Sequence, residues 1–273
     1  MAVYSAEAVV LRKVDYGEAD RILTIFTRER GKLPAIAKAV RRARSRMSGQ
    51  LDVFSHGQML LAEGKRMDVV TQFQRITRSG GLAADLARAA AAAVVVEVAD
   101  KVLEERHPQP ELFEMIVAAI GHLSDPEIDP RLELADFLMR VLVELGYAPA
   151  LGECARCGKP LSPGEQRSDG DQGSDGSGSG GTGAQTGLGF SPLAGGVICG
   201  DCNRDEAVSP PISIRAVKIL RVCAAGDRNL FFRLRLDDAD LAALEGALEA
   251  QLEHHLDRQL KSIDFARKVR RPA

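Results

Sequence analysis

Hydrophobic and polar positions change rhythm once along this chain, near residue 80. Before it lie five β-rich runs: VYSAEAVVLRKV (3–14), ADRILTIFTRE (19–29), KLPAIAKAV (32–40), DVFSHGQMLLAE (52–63) and RMDVVTQFQRIT (66–77). Gly17, Gly31, Gly49 and Gly64 fall in or near the breaks between them. Five short strands with turn signals predict a small closed barrel of the OB type; an SH3-like barrel has the same signature, and strand count does not choose between them.

After Gly80–Gly81 the period becomes helical. Leu82, Leu86, Ala90, Val94, Val98 and Val102 mark one face of a long helix over 82–106, and ELFEMIVAAIGHL (111–123) predicts a second. Asp129–Pro130 supplies an N-cap and an N1 proline for a helix that Gly146 stops. Pro210–Pro211 opens another, ISIRAVKILRVC, and Asp237–Asp238 caps a last one carrying Leu241, Leu244, Leu248 and Leu252 in register. Four or five helices make a bundle. The expected class is therefore α+β and multidomain: a barrel domain over 1–80 and a helical domain over 81–273.

Within the helical half, residues 150–205 hold four of the five cysteines, as Cys154-x-x-Cys157 and Cys199-x-x-Cys202. Two residues between thiols let both sulfurs of a turn face one ion, and two such turns complete a tetrahedron around zinc. The 41 residues between the pairs exceed ordinary ribbon spacing, but 168–187 is low-complexity, with eight Gly in twenty; without it the gap is 21. That tract reads as a disordered insert, tolerated because loop-closure cost grows slowly with length. A closed set of four thiolates leaves no open position, so one structural Zn2+ is expected. Cys223 sits on an apolar helix face and reads as a core thiol.

Composition and charge sharpen the picture. Aromatics are 4% and Trp is absent, so the cores must be aliphatic. The first twenty residues carry six charges, and no apolar run reaches membrane-span length, which points to the cytoplasm and to reduced thiols. Residues 1–80 hold fifteen Lys and Arg against eight acids, a net +7; since the whole chain is −2, the remainder carries −9. A basic first domain implies an anionic partner. The run KAVRRARSRM places Lys38, Arg41, Arg42, Arg44 and Arg46 between the third and fourth strands with no acid, a track for a phosphate backbone on an OB-type barrel. Lys65 and Arg66, where the fifth run begins, join them. Tyr4, Tyr16, Phe26, Phe54 and Phe73 are the aromatics available for base stacking. Catalytic signatures are missing: no histidine begins H-x-E, no G-x-x-x-x-G-K-[ST] or G-x-S-x-G occurs, and no carboxylate pair stands out. The chain reads as non-enzymatic.

The opening VYSAEAVVLRKVDYGEADRILTIFTRERGKLPAIAKAVRR resembles the N-terminus of the RecO family of bacterial DNA repair and recombination mediators, most of all at Tyr16–Asp20 and GKLPAIAKAVRR. CARCGKPL and GFSPLAGGVICGDC resemble the zinc-bearing form of the family, and QLKSIDFARK resembles its terminal helix. The similarity spans nearly the whole chain except 168–187. It implies an OB-fold followed by a helical domain with a zinc finger, binding of single- and double-stranded DNA, and annealing of complementary strands. It further implies work with RecR in the RecF pathway, and help for RecA in loading onto DNA coated by single-strand DNA-binding protein, in the cytoplasm and at the nucleoid. The contact with that protein's acidic, apolar C-terminal tail needs a basic spot beside an apolar groove, for which Arg131, Arg140, Lys218 and Arg221 are candidates. The terminal RKVRRPA reads equally as a DNA contact or a solvated tail. The rival reading is a zinc-ribbon adaptor or transcription accessory protein that binds nucleic acid without annealing it.

Overall fold

The computed structural model describes residues 2–43, 45, 47–77, 80–161, 187–205 and 209–270. The first five strands are β1 (Val3–Tyr16), β2 (Asp20–Thr27), β3 (Gly31–Ala37), β4 (His56–Ala62) and β5 (Asp68–Thr77). They close into a barrel in the order β1-β2-β3-β5-β4, with β1 returning onto β4. Every pairing is antiparallel except β3 with β5, which run parallel through Ala35↔Asp68 and Ile36↔Val69. This order, with a long β1 shared between β4 and β2, is OB-like and resolves the choice that strand count left open. A register shift between Val10 and Arg12 bends β1 from one partner toward the other.

Alternate positions fill the interior: Ala6, Ala8 and Val10; Leu23 and Ile25; Leu33, Ala35 and Ala37; Met59 and Leu61; and Val70, with Val40 and Leu51 from the β3–β4 connection. Each fully buried Leu or Ile contributes about 1.5–3 kcal/mol of transfer free energy. The opposite face of β2 is also covered at one end. Phe26 is fully buried and meets Phe113 of a following helix edge-on, with ring centroids 5.5 Å apart. That is why ILTIF reads as a nearly continuous apolar run rather than a strict alternation.

The helices are α1 (Gly80–Ala84), α2 (Leu86–Val102), α3 (Pro110–Leu123), α4 (Pro130–Glu144), α5 (Gly200–Asp205), α6 (Ile214–Ala224), α7 (Arg228–Phe231), α8 (Asp238–Leu256) and α9 (Lys261–Arg270). The single helix expected over 82–106 is two. Asp85 adopts extended backbone and its carboxylate accepts from the N–H groups of Ala87 and Arg88, so it ends α1 and caps α2. Leu86, placed on the buried stripe by periodicity, is instead 62% exposed, while Ala90, Val94 and Val98 are buried. Nine helices, several of one or two turns, replace the expected four or five among the described residues. None of these helices is long and apolar enough to cross a membrane.

Compactness divides the chain into Met1–Phe137 with Arg258–Ala273, and Leu138–Asp257. The first unit therefore includes helices as well as the barrel, for local reasons. The backbone N–H of Arg106 donates to Lys32 O at 2.8 Å, the Lys32 ammonium reaches Asp100, and a Cβ on Gly31 (φ +71°) would collide with the His107 backbone. Only glycine lets β3 meet the α2–α3 connection this closely. In the same unit the Glu97 carboxylate accepts from the N–H groups of Lys261 and Ser262 and so caps α9. In the second unit α8 starts with a reciprocal capping box between Asp237 and Asp240. Leu244, Leu248, Leu252, Leu220 and Cys223 are buried there, Cys223 as expected.

Candidate metal centre and nucleic-acid face

The four paired cysteines converge. Cys154 and Cys157 lie on a tight turn in which Gly158 N–H donates to Cys154 O and Cys154 N–H donates to Lys159 O. Cys199 follows a short strand, and Cys202 sits on α5. Sequence reasoning missed the hairpin beneath them, β6 (Gly189–Ser191) and β7 (Gly196–Ile198). Three residues per strand are too few to show a period. Its register is fixed by backbone contacts to the first cysteine loop: Val197 N–H donates to Ala150 O, and Ala155 N–H to Val197 O. Gly196 (φ +155°) packs so tightly on Ala150 that a Cβ would overlap that backbone.

All four sulfurs lie within 4.8 Å of one another, and Cys157 Sγ is 3.9 Å from Cys199 Sγ. A tetrahedral zinc–thiolate site with bonds of about 2.3 Å has edges of about 3.8 Å. The donor set therefore fits one metal ion of the zinc type. The charges agree. Burial would raise the Cys154 thiol, but N–H groups of Cys199, Cys157 and Arg156 hold it down to about 6. Desolvation and hydrogen bonds from the other three sulfurs push Cys202 up to about 12. Sulfurs this close oppose each other's ionisation, and a divalent cation among them removes the conflict. Zinc bound there would hold the two loops together; with four protein ligands it would offer no open position to a substrate.

Arg221 of α6 fastens this region. Its guanidinium donates to Leu151 O and reaches Leu161 O, on the stretch that carries Cys154 and Cys157. It is thus engaged structurally, although the sequence offers it as a tail contact. The insert expected at 168–187 lies outside the described residues apart from Gly187, whose carbonyl accepts from Asn203 Nδ2.

The basic residues of the barrel divide into two groups. Lys38, Arg41 and Arg42 leave the C-terminal end of β3 and are exposed. Arg44 and Arg46 lie outside the described residues. Lys65 and Arg66, also exposed, precede Asp68, the first β5 residue paired with β3. Because β3 and β5 run parallel, the two groups depart from their ladder in opposite directions. Arg41 turns back onto the β1–β2 turn, 3.4 Å from Asp15 and donating to Gly17 O. The Arg21 hydrogen bond, with Arg41 and Lys13 nearby, keeps the Asp15 carboxyl below its usual pKa. Lys38, Arg42, Lys65 and Arg66 make no ion pair among the described residues.

Of the five aromatics named from sequence, Phe26 is core and Phe73 packs against the core. Tyr4 donates to Asp68 at 2.6 Å beneath the Arg30 guanidinium, its own pKa raised by burial and that bond. Phe54 is half-buried at positive φ. Tyr16 is 56% exposed at the end of β1. Leu23 is core and pairs with Lys13, so the neighbouring pair Val14↔Ile22 faces outward, and Val14 is exposed with Tyr16. Val14 and Tyr16 are thus exposed on the face of β1 that also carries Arg12, with half-buried Ile22 opposite Val14 forming the rest of an apolar strip. Alternation along β1 and β2 could have found this strip, but only with the bulge at Val10 known.

The description "Recombination protein O N terminal" matches residues 1–78 and "Recombination protein O C terminal" matches residues 83–264. The chain belongs to the RecO family. A DNA repair protein RecO of Nocardioides sp. is 35% identical over 268 residues, covering 96% of this chain and 98% of the relative. That of Roseiflexus sp. is 32% identical over 269 residues, covering 98% of this chain and 86% of the relative. That of Thermobifida fusca is 34% identical over 271 residues. Family membership gives the chain a role in DNA repair and recombination, as the resemblance implied.

Proposed function

We propose that this chain is a non-enzymatic DNA-binding and strand-annealing mediator of the RecF pathway. It acts in the cytoplasm at the nucleoid, helping RecA load onto single-stranded DNA coated by single-strand DNA-binding protein, together with RecR. The observation that carries the proposal is a barrel domain with exposed Val14 and Tyr16 on one strand face and with exposed Lys38, Arg42, Lys65 and Arg66 in no ion pair among the described residues. Annealing needs phosphate charge neutralised and bases left unstacked and accessible, and uncommitted cations on the same domain as exposed apolar side chains supply both. Residues 1–80 act as the DNA-binding domain, through Lys38, Arg41, Arg42, Arg44 and Arg46, with Lys65 and Arg66 contacting duplex or a second stretch of backbone. The zinc ion is structural.

For the acidic, apolar tail of single-strand DNA-binding protein, the first unit offers a cavity of about 420 Å³. Ala87, Ala90, Ala91, Leu134 and Val269 line it, with Arg131 and Arg270 among the lining residues. Arg88, also in the lining, is committed to the carbonyls of Leu123, Asp125 and Pro126. Of the four cations named from sequence, Arg131 is the one that lies at such a groove.

The test is annealing of two labelled complementary oligonucleotides, bare and coated by single-strand DNA-binding protein, across several salt concentrations. The intact protein anneals both; a variant with Arg41, Arg42, Arg44 and Arg46 changed to Ala loses at least tenfold in rate at low salt, with a shallower salt dependence. Salt-dependent binding without annealing by the intact, zinc-loaded protein would move the reading to a zinc-ribbon adaptor.

A further inference from the structure

We infer that the second unit carries its own track for the phosphate backbone of a nucleic-acid strand, built from Arg233 and Arg235 with Lys218. This inference rests on the reading above that the chain binds DNA, and it adds a site outside the barrel. Residues 81–273 are acidic as a whole, yet the 21 residues from Arg215 to Arg235 hold six Lys and Arg against one acid, Asp227. A local reversal of charge within an acidic region calls for an explanation from structure.

Two of the six cations are used internally. Arg221 holds Leu151 O, and Arg215 makes a two-point contact with Asp240, both Nε–O distances being 2.8 Å. Arg228 stacks over Phe232, 4.6 Å from the ring centroid. The remaining three point to solvent. Between α7 and α8 the chain alternates: Phe232, Leu234 and Leu236 are half-buried, and Arg233 and Arg235 between them are exposed. Arg233 sits in the turn that ends α7, its N–H donating to Leu230 O, and Arg235 follows two residues later, both side chains exposed. Neither makes an ion pair among the described residues. The segment is fastened to α6, because the Arg215 guanidinium donates to Arg235 O at 3.1 Å. Lys218, one turn along α6 from Arg215, is exposed on the same side of that helix.

The chemistry favours a nucleic-acid polyanion over an acidic peptide. The segment presents exposed guanidinium groups and only half-buried apolar side chains, and guanidinium groups pair phosphate oxygens in bidentate fashion. A protein that anneals must also hold two strands, and a cation track away from the barrel gives the second strand, or the far part of a long one, somewhere to lie.

The full-length, zinc-loaded protein tests this in a titration of labelled single-stranded oligonucleotide at several salt concentrations. Arg233→Ala with Arg235→Ala removes two exposed cations. The log-affinity against log-salt slope then falls by about 1.4, and affinity at 0.1 M salt falls about 25-fold. Arg233→Lys with Arg235→Lys keeps the charge and restores most of that loss. An unchanged slope and affinity for the Ala pair, while the Arg41 and Arg42 variant loses both, overturns the track and leaves the barrel reading standing. No binding by the wild-type protein sinks both. Unchanged oligonucleotide affinity with lost affinity for a synthetic acidic peptide overturns the track in favour of a protein partner.

Discussion

The barrel and the cysteine region solve the same problem, holding short strands in register, by opposite means. The barrel closes a hydrogen-bonded cycle of five strands around a dozen aliphatic side chains. Its stability is spread over many contacts, none decisive. The cysteine region has two strands of three residues, with Phe190, Val197, Ile198, Leu151 and Leu161 as its buried apolar side chains. So small a cluster does not offset the entropy of ordering two long loops. There the decisive contacts are four sulfurs within 4.8 Å. A distributed core tolerates gradual change; a core concentrated on one ion fails all at once.

The sharpest way to break that comparison is Cys154→Ser. It should abolish zinc retention and unfold the region around residues 150–161 and 187–205. The local loss is on the order of 5 kcal/mol, given that zinc contributes about 10–16 kcal/mol of apparent binding energy in small zinc-folded domains. Metal analysis with hydrogen exchange measures this: protection vanishes around the cysteines and persists in β1–β5. A variant free of metal but with unchanged melting and exchange would mean that the hairpin stands without an ion.

The barrel's answer to the same kind of insult is milder. Leu33 is fully buried in the interior, and Leu33→Ala removes one of many contacts. The expected cost is about 2–5 kcal/mol by denaturant unfolding, with zinc content unchanged. Loss of zinc on this change would show that the two regions are not independent.

Legibility in the sequence follows the same division. The strands of the barrel were readable because burial on one face imposes period two, and β1 to β5 fall within a few residues of their runs. The ligands were readable because C-x-x-C spacing is dictated by the ion. What joins the ligands was not: β6 and β7 are too short for any period, and Arg221 acts through backbone carbonyls that no side-chain pattern reveals. The break at Asp85 escaped because the alanine-rich run around it is helix-favouring throughout, although an Asp two to three residues before free N–H groups is itself a capping signal. Buried polar pairings such as His56 with Glu7 and Thr77, each at 2.8 Å, depend on strand register and so are invisible before it is known.

The smallest expected effect separates two sources of acid sensitivity in the second unit. Thiolate ligands are protonated as pH falls, which weakens zinc binding. His255 adds an independent term. It stacks on Tyr147, with centroids 4.1 Å apart, and Gln251 Nε2 lies 3.0 Å from its Nε2, an arrangement that suits a neutral acceptor nitrogen. Burial, and then the neighbouring His254, lower its pKa below the usual 6.5. The folded form therefore binds this proton less readily than the unfolded chain. Its contribution is full above pH 6.5 and is lost as pH falls through that value toward the lower folded pKa. His255→Phe keeps the stack and removes the titration. Thermal melts of zinc-loaded protein between pH 7.5 and 5 should show a shallower decline for the variant, with equal zinc content at each pH. Parallel declines would show that His255 contributes nothing and that the acid sensitivity of the unit lies elsewhere, the thiolates included.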